Sequence, residues 1–269
     1  MVKLKTFFKR FYLAIILLFM YAPILMLMVY SFNESKTMAK WSGFTFQWYE
    51  QLFQDQTIMN ALWITISVAI ISSLVAVVIG TLAAIGIHNF KRFSRNMVIN
   101  LTYIPMVNSE IVTGISLLLF FIFLKVPRGY STMLIAHIVF NLPYVILSVL
   151  PKLKQLDNSL YEAALDMGAK PSYALRKVML PQLMPGIVTG FILAFTMSFD
   201  DFVISFFTTQ GITQNLSIYI YSMARVGINP KINAISTIMF LAIITLLIIV
   251  NVRANKASKK LAIKNGGKR

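Results

Sequence analysis

Six apolar runs alternate with short polar segments along the chain: about Phe11 to Phe32, Ala61 to Ile87, Met97 to Leu124, Ser131 to Leu150, Met184 to Phe207 and Ala234 to Val252. Each approaches or exceeds the roughly 20 residues that a helix needs to cross a bilayer. No alternating ten-residue pattern recurs, so the sequence predicts an all-α integral membrane protein with six transmembrane helices and no β-barrel. The first run follows a basic stub, residues 1–10, but is too long for a signal peptide and lacks a small-x-small cleavage site after it. The polar stretch Asn33 to Asn60 places Phe46, Tyr49, Leu52 and Phe53 at helical spacing, which predicts a short amphipathic helix at the membrane interface.

The longest departure from this pattern is a charged island, Ser159 to Pro181, within the loop 152–183. Ser159 and Glu162 have capping-box spacing and Ala163, Ala164, Leu165 and Met167 favour helix. Gly168 tolerates the left-handed conformation that stops one. Pro171 suits the first turn of a second short helix, with Arg176 and Lys177 near its end. The expectation is two short helices joined by a glycine turn.

The spacing Glu162-Ala163-Ala164, Gly168, Val178, Leu180-Pro181 resembles the EAA loop of ABC-transporter permeases, with Val178 standing where that family has isoleucine. The resemblance implies a type I, MetI-like permease fold. It also implies a role for Glu162, Ala163, Ala164, Gly168, Leu180 and Pro181 in coupling to a cytoplasmic ATPase. Any polytopic protein could carry a solvated loop here; the full spacing over some 20 residues is what favours coupling.

Composition sharpens the picture. The 269 residues are 58% hydrophobic and only 13% charged, with no cysteine, and mean hydropathy is +0.74. This polarity is too low for a soluble domain of the same length. The formal charge of +16 could suggest nucleic acid, but its distribution argues otherwise. With six spans, 19 of the 25 lysines and arginines fall on the side of both termini, the turn 88–96 and the island. The positive-inside rule makes that side cytoplasmic. The chain therefore reads as a stub (1–10), one transmembrane domain (11–252) and a basic tail (253–269), with no nucleic-acid partner.

No phosphate-binding G-x-x-x-x-G-K-[ST] loop is present, so nucleotide hydrolysis would need another subunit. His88 and His137 lack metal-ligand spacing, and the reading of His137 is a hydrogen-bonded packing residue. No cofactor is called for. Adjacent Asp200 and Asp201 point about 100° apart on a helix and could not share a proton as a protease dyad does. The chain reads as a non-enzyme.

Glu110, Asp200 and Asp201 are the acids inside the predicted spans, where each costs about 2.5–3.5 kcal/mol on insertion scales. With no lysine or arginine deep in a span, their countercharge would be a proton, a partner's residue or a cationic cargo. They either line a cation pathway, Glu110 near the middle of span three and the Asp pair in the outer half of span five, or hydrogen-bond between helices. Phe199 and Phe202 beside the pair would add cation–π contact.

Here the likeness narrows. Ser198 to Phe207, Ser109 to Phe121 and Gly43 to Phe53 are similar to inner-membrane permeases of spermidine/putrescine transporters, the PotC type. That resemblance implies polyamine import through a path shared with a second permease subunit as heterodimer. It further implies two cytoplasmic ATPase subunits, an extracytoplasmic substrate-binding protein, membrane lipid around the spans, and a bacterial plasma-membrane location. Permeation of another solute by an ABC permease, or proton-coupled secondary transport with Asp200 or Glu110 as relay, are the alternatives.

Overall fold

In the computed structural model, residues 2–36, 40–156, 158–209, 211, 213–226, 230–245 and 247–248 are described, and they are almost wholly helical. The chain divides into two compact units, residues 60–219 and residues 1–59 with 220–269. The expected tail, 253–269, and Asp157 lie outside the described residues.

The unit formed by the two ends begins with α1, Val2–Tyr30. Its apolar side chains from Phe11 onward are largely exposed, Phe19 by 81%, as suits a helix meant for lipid or a partner. The chain then folds back on itself through Asn33. The Asn33 amide donates to Lys40 O at 2.8 Å and its Oδ1 accepts from the Ser42 N–H at 3.0 Å. Its main-chain oxygen accepts from Trp48 Nε1 at 2.7 Å. The short helix α2 is Gln47–Gln54. Its buried face is Trp48 and Leu52, an i,i+4 pair, whereas Phe46 and Phe53 of the expected stripe are more than 60% exposed. Phe46 instead joins Phe32, Phe44 and Tyr49 in a stack of rings. After α2, Asp55 pairs with Lys231 at 3.1 Å. Lys231 sits in the first turn of the helix Pro230–Thr245. This helix stands where the sixth span is expected; the rest of that expectation, to Val252, lies largely outside the described residues.

The larger unit holds most of α3, Gln56–His88, with α4, Arg92–Val107, α5, Glu110–Phe123, and α6, Tyr130–Lys154. These are followed by α7, Asn158–Asp166, α8, Pro171–Ala174, a π-helical turn, Leu175–Met179, and α9, Leu180–Phe199. Short α10 is Val203–Thr208, and α11 begins at Leu216, running to Val226. The core is the seam between α6 and α9, filled by Val145, Val149, Leu153, Leu183 and Ala194. Glycine makes the seam tight. A β-carbon on Gly186 would lie 3.0 Å from Ser148 O, and one on Gly190 3.2 Å from Val145 Cα. The four-residue glycine spacing thus does what it does in packed membrane helices, letting backbones approach.

Among the described residues, four helices are long and apolar enough to cross a membrane, or five if α4 and α5 count as one. That pair occupies the span expected from Met97 to Leu124 and adds a break to it: the two halves meet at 102°. Asn108 and Ser109 are both extended (ψ 148° and 139°), and Ser109 Oγ accepts from the Ile111 N–H at 3.3 Å to start α5. Glu110 therefore stands in the first turn of a new helix, not midway along an unbroken one. A hydropathy window averages across such a break and cannot register a change of direction.

Candidate functional site

The island folds locally as its residues dictate, with two corrections. Helix α7 already includes Asn158, so Ser159 lies inside its first turn. Nor is the second helix a separate short one: α8 continues through the π-turn into α9 as one helix from Pro171 to Phe199. Pro171 is at its start, as expected. Pro181 explains the π-turn, since proline removes one N–H and clashes with the carbonyl four residues back. The ladder accommodates this by a wider bond, Leu180 N–H to Leu175 O.

Between the helices, Gly168 adopts φ +83°. Its N–H donates to Leu165 O at 2.8 Å and that of Ala169 to Ala164 O at 3.0 Å, the paired bonds of a Schellman stop. Nothing lies within 4 Å of where a β-carbon would sit, so the demand for glycine is conformational. Glu162 and Ala163 are exposed, Ala164 and Leu180 half-buried and Pro181 exposed. Beside the turn, Met167 is 89% exposed. The Glu162–Ala163 edge is thus turned outward, in reach of a partner.

The three acids cluster, though unequally. Helix α9 ends at Phe199, so the predicted fifth span to Phe207 is also broken, at Asp200 to Phe202. No glycine or proline lies there; side chains make the break. In a continuous helix the N–H of Ile204 would donate to Asp200 O, and that of Ser205 to Asp201 O. Instead the Asp201 carboxylate takes both N–H groups, at 3.2 and 2.8 Å. The two orphaned carbonyls find donors on the chain before and within α11. Ser217 Oγ donates to Asp200 O at 3.2 Å and Asn215 Nδ2 to Asp201 O at 2.8 Å. These two N–H groups and two carbonyls all find partners, as burial requires.

Asp201 is 7% exposed. Its Oδ2 also accepts from Ser205 Oγ at 2.8 Å and lies 3.4 Å from His137 Nε2. Ser205 gives its only proton to Asp201, so its lone pairs receive Asn215 Nδ2 and His137 Nε2, both at 2.9 Å. The His137 proton is accordingly on Nε2. On the far side of the ring, Nδ1 meets Ser198 Oγ at 2.5 Å, and Ser198 contacts Ser72 Oγ at 3.1 Å, which accepts from Asn141 Nδ2 at 3.2 Å. His137 is thus the hydrogen-bonded residue its sequence context suggested, but it also supplies a partner for Asp201 that a search among lysines and arginines missed. His137 and Asn141 are four apart on one face of α6; that spacing was the available signal. Ser72, Ser198, Ser205 and Asn215 gave none.

Asp200 differs. It is exposed, and among the described residues no other side chain donates to its carboxylate. Glu110 is exposed and within electrostatic range of both aspartates. Its helix α5 is held against α10, where a β-carbon on Gly114 would lie 2.9 Å from Phe207. Phe199 is buried and stacks on Phe195 at 5.5 Å, while half-buried Phe202 lies 5.4 Å from Phe206. The arrangement offers an exposed carboxylate, a second acid nearby and ring faces beside them, a set suited to an organic cation.

Comparison with known proteins extends this geometry. The family model described as "Binding-protein-dependent transport system inner membrane component" matches residues 76–260. The chain is 38% identical over 233 residues to the putrescine transport system permease protein PotI of Escherichia coli K12, covering 84% of this chain and 83% of that one. It is 36% identical over 230 residues to the spermidine/putrescine transport system permease protein PotC of the same organism, covering 86% and 87%. A crystal structure of a bacterial ABC transporter involved in import of the acidic polysaccharide alginate superposes with a TM-score of 0.72 at 15% identity, over 94% of this chain and 96% of that one; at that identity the likeness is one of fold.

Proposed function

Because the chain belongs to the family of binding-protein-dependent transport system inner membrane components, we propose that it is a permease subunit of an ATP-driven importer of polyamines. It forms the translocation path with a second permease subunit. Two ATPase subunits work on the island, and an extracytoplasmic binding protein delivers cargo. Hydrolysis of ATP belongs to those ATPases. The island side and both termini face the cytoplasm; the Asp55–Lys231 contact, which joins the segment after the first span to the start of the helix Pro230–Thr245, supports this reading. Cargo passes by alternating access, with Glu110, Asp200, Asp201, Phe199 and Phe202 at the acidic break.

The observation that carries the cargo assignment is the exposed Asp200 carboxylate at a helix break, in a chain more than a third identical to two polyamine permeases over most of its length. An anionic solute would be repelled there, while ammonium groups on an apolar chain match carboxylates among phenylalanines. The test is uptake of labelled spermidine and putrescine into vesicles holding the assembled complex and its binding protein. ATP-dependent accumulation that excess unlabelled polyamine suppresses is expected; accumulation of another solute with polyamines ignored would overturn the assignment.

A further inference from the structure

We propose that the two adjacent aspartates divide the work: Asp200 is the carboxylate that meets cargo, and His137 with Asp201 forms a clamp that positions it. The inference rests on the polyamine reading and deepens it.

The carboxylate of Asp201 is already engaged and buried. Its Oδ2 receives the Ser205 N–H and hydroxyl, with His137 Nε2, which shares its one proton with Ser205 Oγ, 3.4 Å away; its Oδ1 receives the Ile204 N–H. An ammonium group would have to enter a pocket that leaves this side chain 3% exposed and compete there with bonds that hold the break open. Asp200 carries the same chemistry one residue earlier with its side chain outside that network.

His137 reaches both sides of the break with one ring: Ser198 in the last turn of α9 through Nδ1, and Asp201 and Ser205 of the break and α10 through Nε2. The ring is 1% exposed and fixed to α6, whose Thr132 also donates to Thr208 O at 2.7 Å at the other end of α10. The main-chain oxygen of Asp200 is meanwhile held by Ser217. The direction in which the Asp200 side chain leaves the backbone is therefore set by the geometry of residues 198–205, and His137 is the side chain that spans them. It is a positioning residue, touching no cargo.

The experiment is a substitution cycle on labelled spermidine uptake by the assembled complex, read as KM and Vmax. Asp200→Asn is expected to raise KM about tenfold or more, as loss of a charge-assisted contact does. His137→Ala should raise KM several-fold in the unsubstituted background yet leave it unchanged on top of Asp200→Asn, because affinity feels His137 only through Asp200. His137→Gln, which keeps a donor near the Nε2 position, should restore most of the loss. A His137→Ala effect confined to Vmax, or an Asp201→Asn substitution that raises KM further on the Asp200→Asn background, would overturn the division of labour. Should His137→Ala fail to insert, the Asp200→Asn and Asp201→Asn pair still decides it. If the unsubstituted complex takes up no polyamine, the cargo reading falls by itself. The clamp is then read from melting in detergent, where His137→Ala and Asp201→Asn must be non-additive and simple additivity overturns it.

Discussion

The Asn215 side chain donates to Asp201 O at 2.8 Å across 14 residues of sequence, while its own Oδ1 accepts from the Ile218 N–H at 3.0 Å. One amide thus caps the start of α11 and closes the carbonyl that the helix break leaves open. Asn215→Ala removes both at once: about 1 kcal/mol for the cap and about 1–3 kcal/mol for a buried carbonyl left without a donor. A clear fall in the detergent melting temperature is expected. Asn215→Asp keeps the cap acceptor but sets a buried carboxylate oxygen against the Asp201 carbonyl, so it should melt no higher than Asn215→Ala. Equal melting of all three proteins would show that the break does not depend on this residue.

The island turn makes a second, sharper prediction. Since the space around Gly168 is open and only its φ of +83° is demanding, asparagine should serve there nearly as well as glycine. Valine should cost roughly 1–2 kcal/mol in the left-handed region. In vesicles, Gly168→Val should lower uptake and cargo-stimulated ATP hydrolysis together, with normal insertion, and Gly168→Asn should retain most of both. Loss in both variants would point to a role for the missing side chain itself.

At the α6–α9 seam the constraint is spatial. A β-carbon on Gly186 would lie 3.0 Å from Ser148 O and one on Gly190 3.2 Å from Val145 Cα, both backbone atoms that cannot rotate away. Gly190→Val is expected to destabilise by about 1–3 kcal/mol through overpacking, read as a lower melting temperature. Gly86, with nothing within 4 Å, is the control, and Gly86→Ala should leave melting unchanged or slightly raised.

Orientation can be read directly because the chain has no cysteine. Single cysteines replacing Lys91 and Lys154 should resist an impermeant thiol reagent in intact cells, and those replacing exposed Lys40 and Lys125 should react. Labelling at position 154 without permeabilisation would reverse the assignment of the island to the cytoplasm.

The Asp55–Lys231 pair predicts a dependence on pH. Burial pushes the Asp55 carboxyl up, but the Lys231 ammonium and the N–H groups of Ile58 and Thr57 outweigh it and hold the group below its ordinary value. The folded state therefore favours the charged form. This contribution is complete above the unfolded value of 3.8 and is lost as pH falls through the lower folded value. For a partly exposed pair it is at most about 1 kcal/mol. Stability measured below pH 4 should fall less steeply in Asp55→Asn than in the parent protein; parallel curves would mean that the pair carries no such linkage.

What the sequence made legible follows from how local each feature is. The glycine turn of the island could be read because a Schellman stop is complete within six residues, Ala164 to Ala169. The seam could be read because Gly186 and Gly190 mark one helix face. The breaks at Asn108 and at Asp200 could not. The first is hidden by averaging hydropathy over apolar flanks. The second is made by Asn215 and Ser217, which stand in a polar loop region and give no sign of the carbonyls they serve. For the same reason Asp201 looked unpartnered: its histidine is 64 positions away, and only packing brings them together. The family spacing marked the residues proposed for coupling but showed neither that Ser159 lies inside its helix nor that the second island helix has no end of its own.

That last feature has a mechanical meaning. From Pro171, at the island's outer turn, to Phe199, at the lip of the acidic break, the backbone is one helix of 29 residues, about 43 Å at the usual rise. The exposed island turn and the place where carboxylates gather are the two ends of a single strut. Force applied at Tyr173 needs no relay of side chains to arrive beside Asp200. The compliant points are the π-turn at Leu175–Met179 and Pro185, where the ladder is already loosened and bending is least opposed. The first lies near the island and the second at the midpoint, so the far half, anchored by Gly186 and Gly190 on α6, swings or stays as a unit.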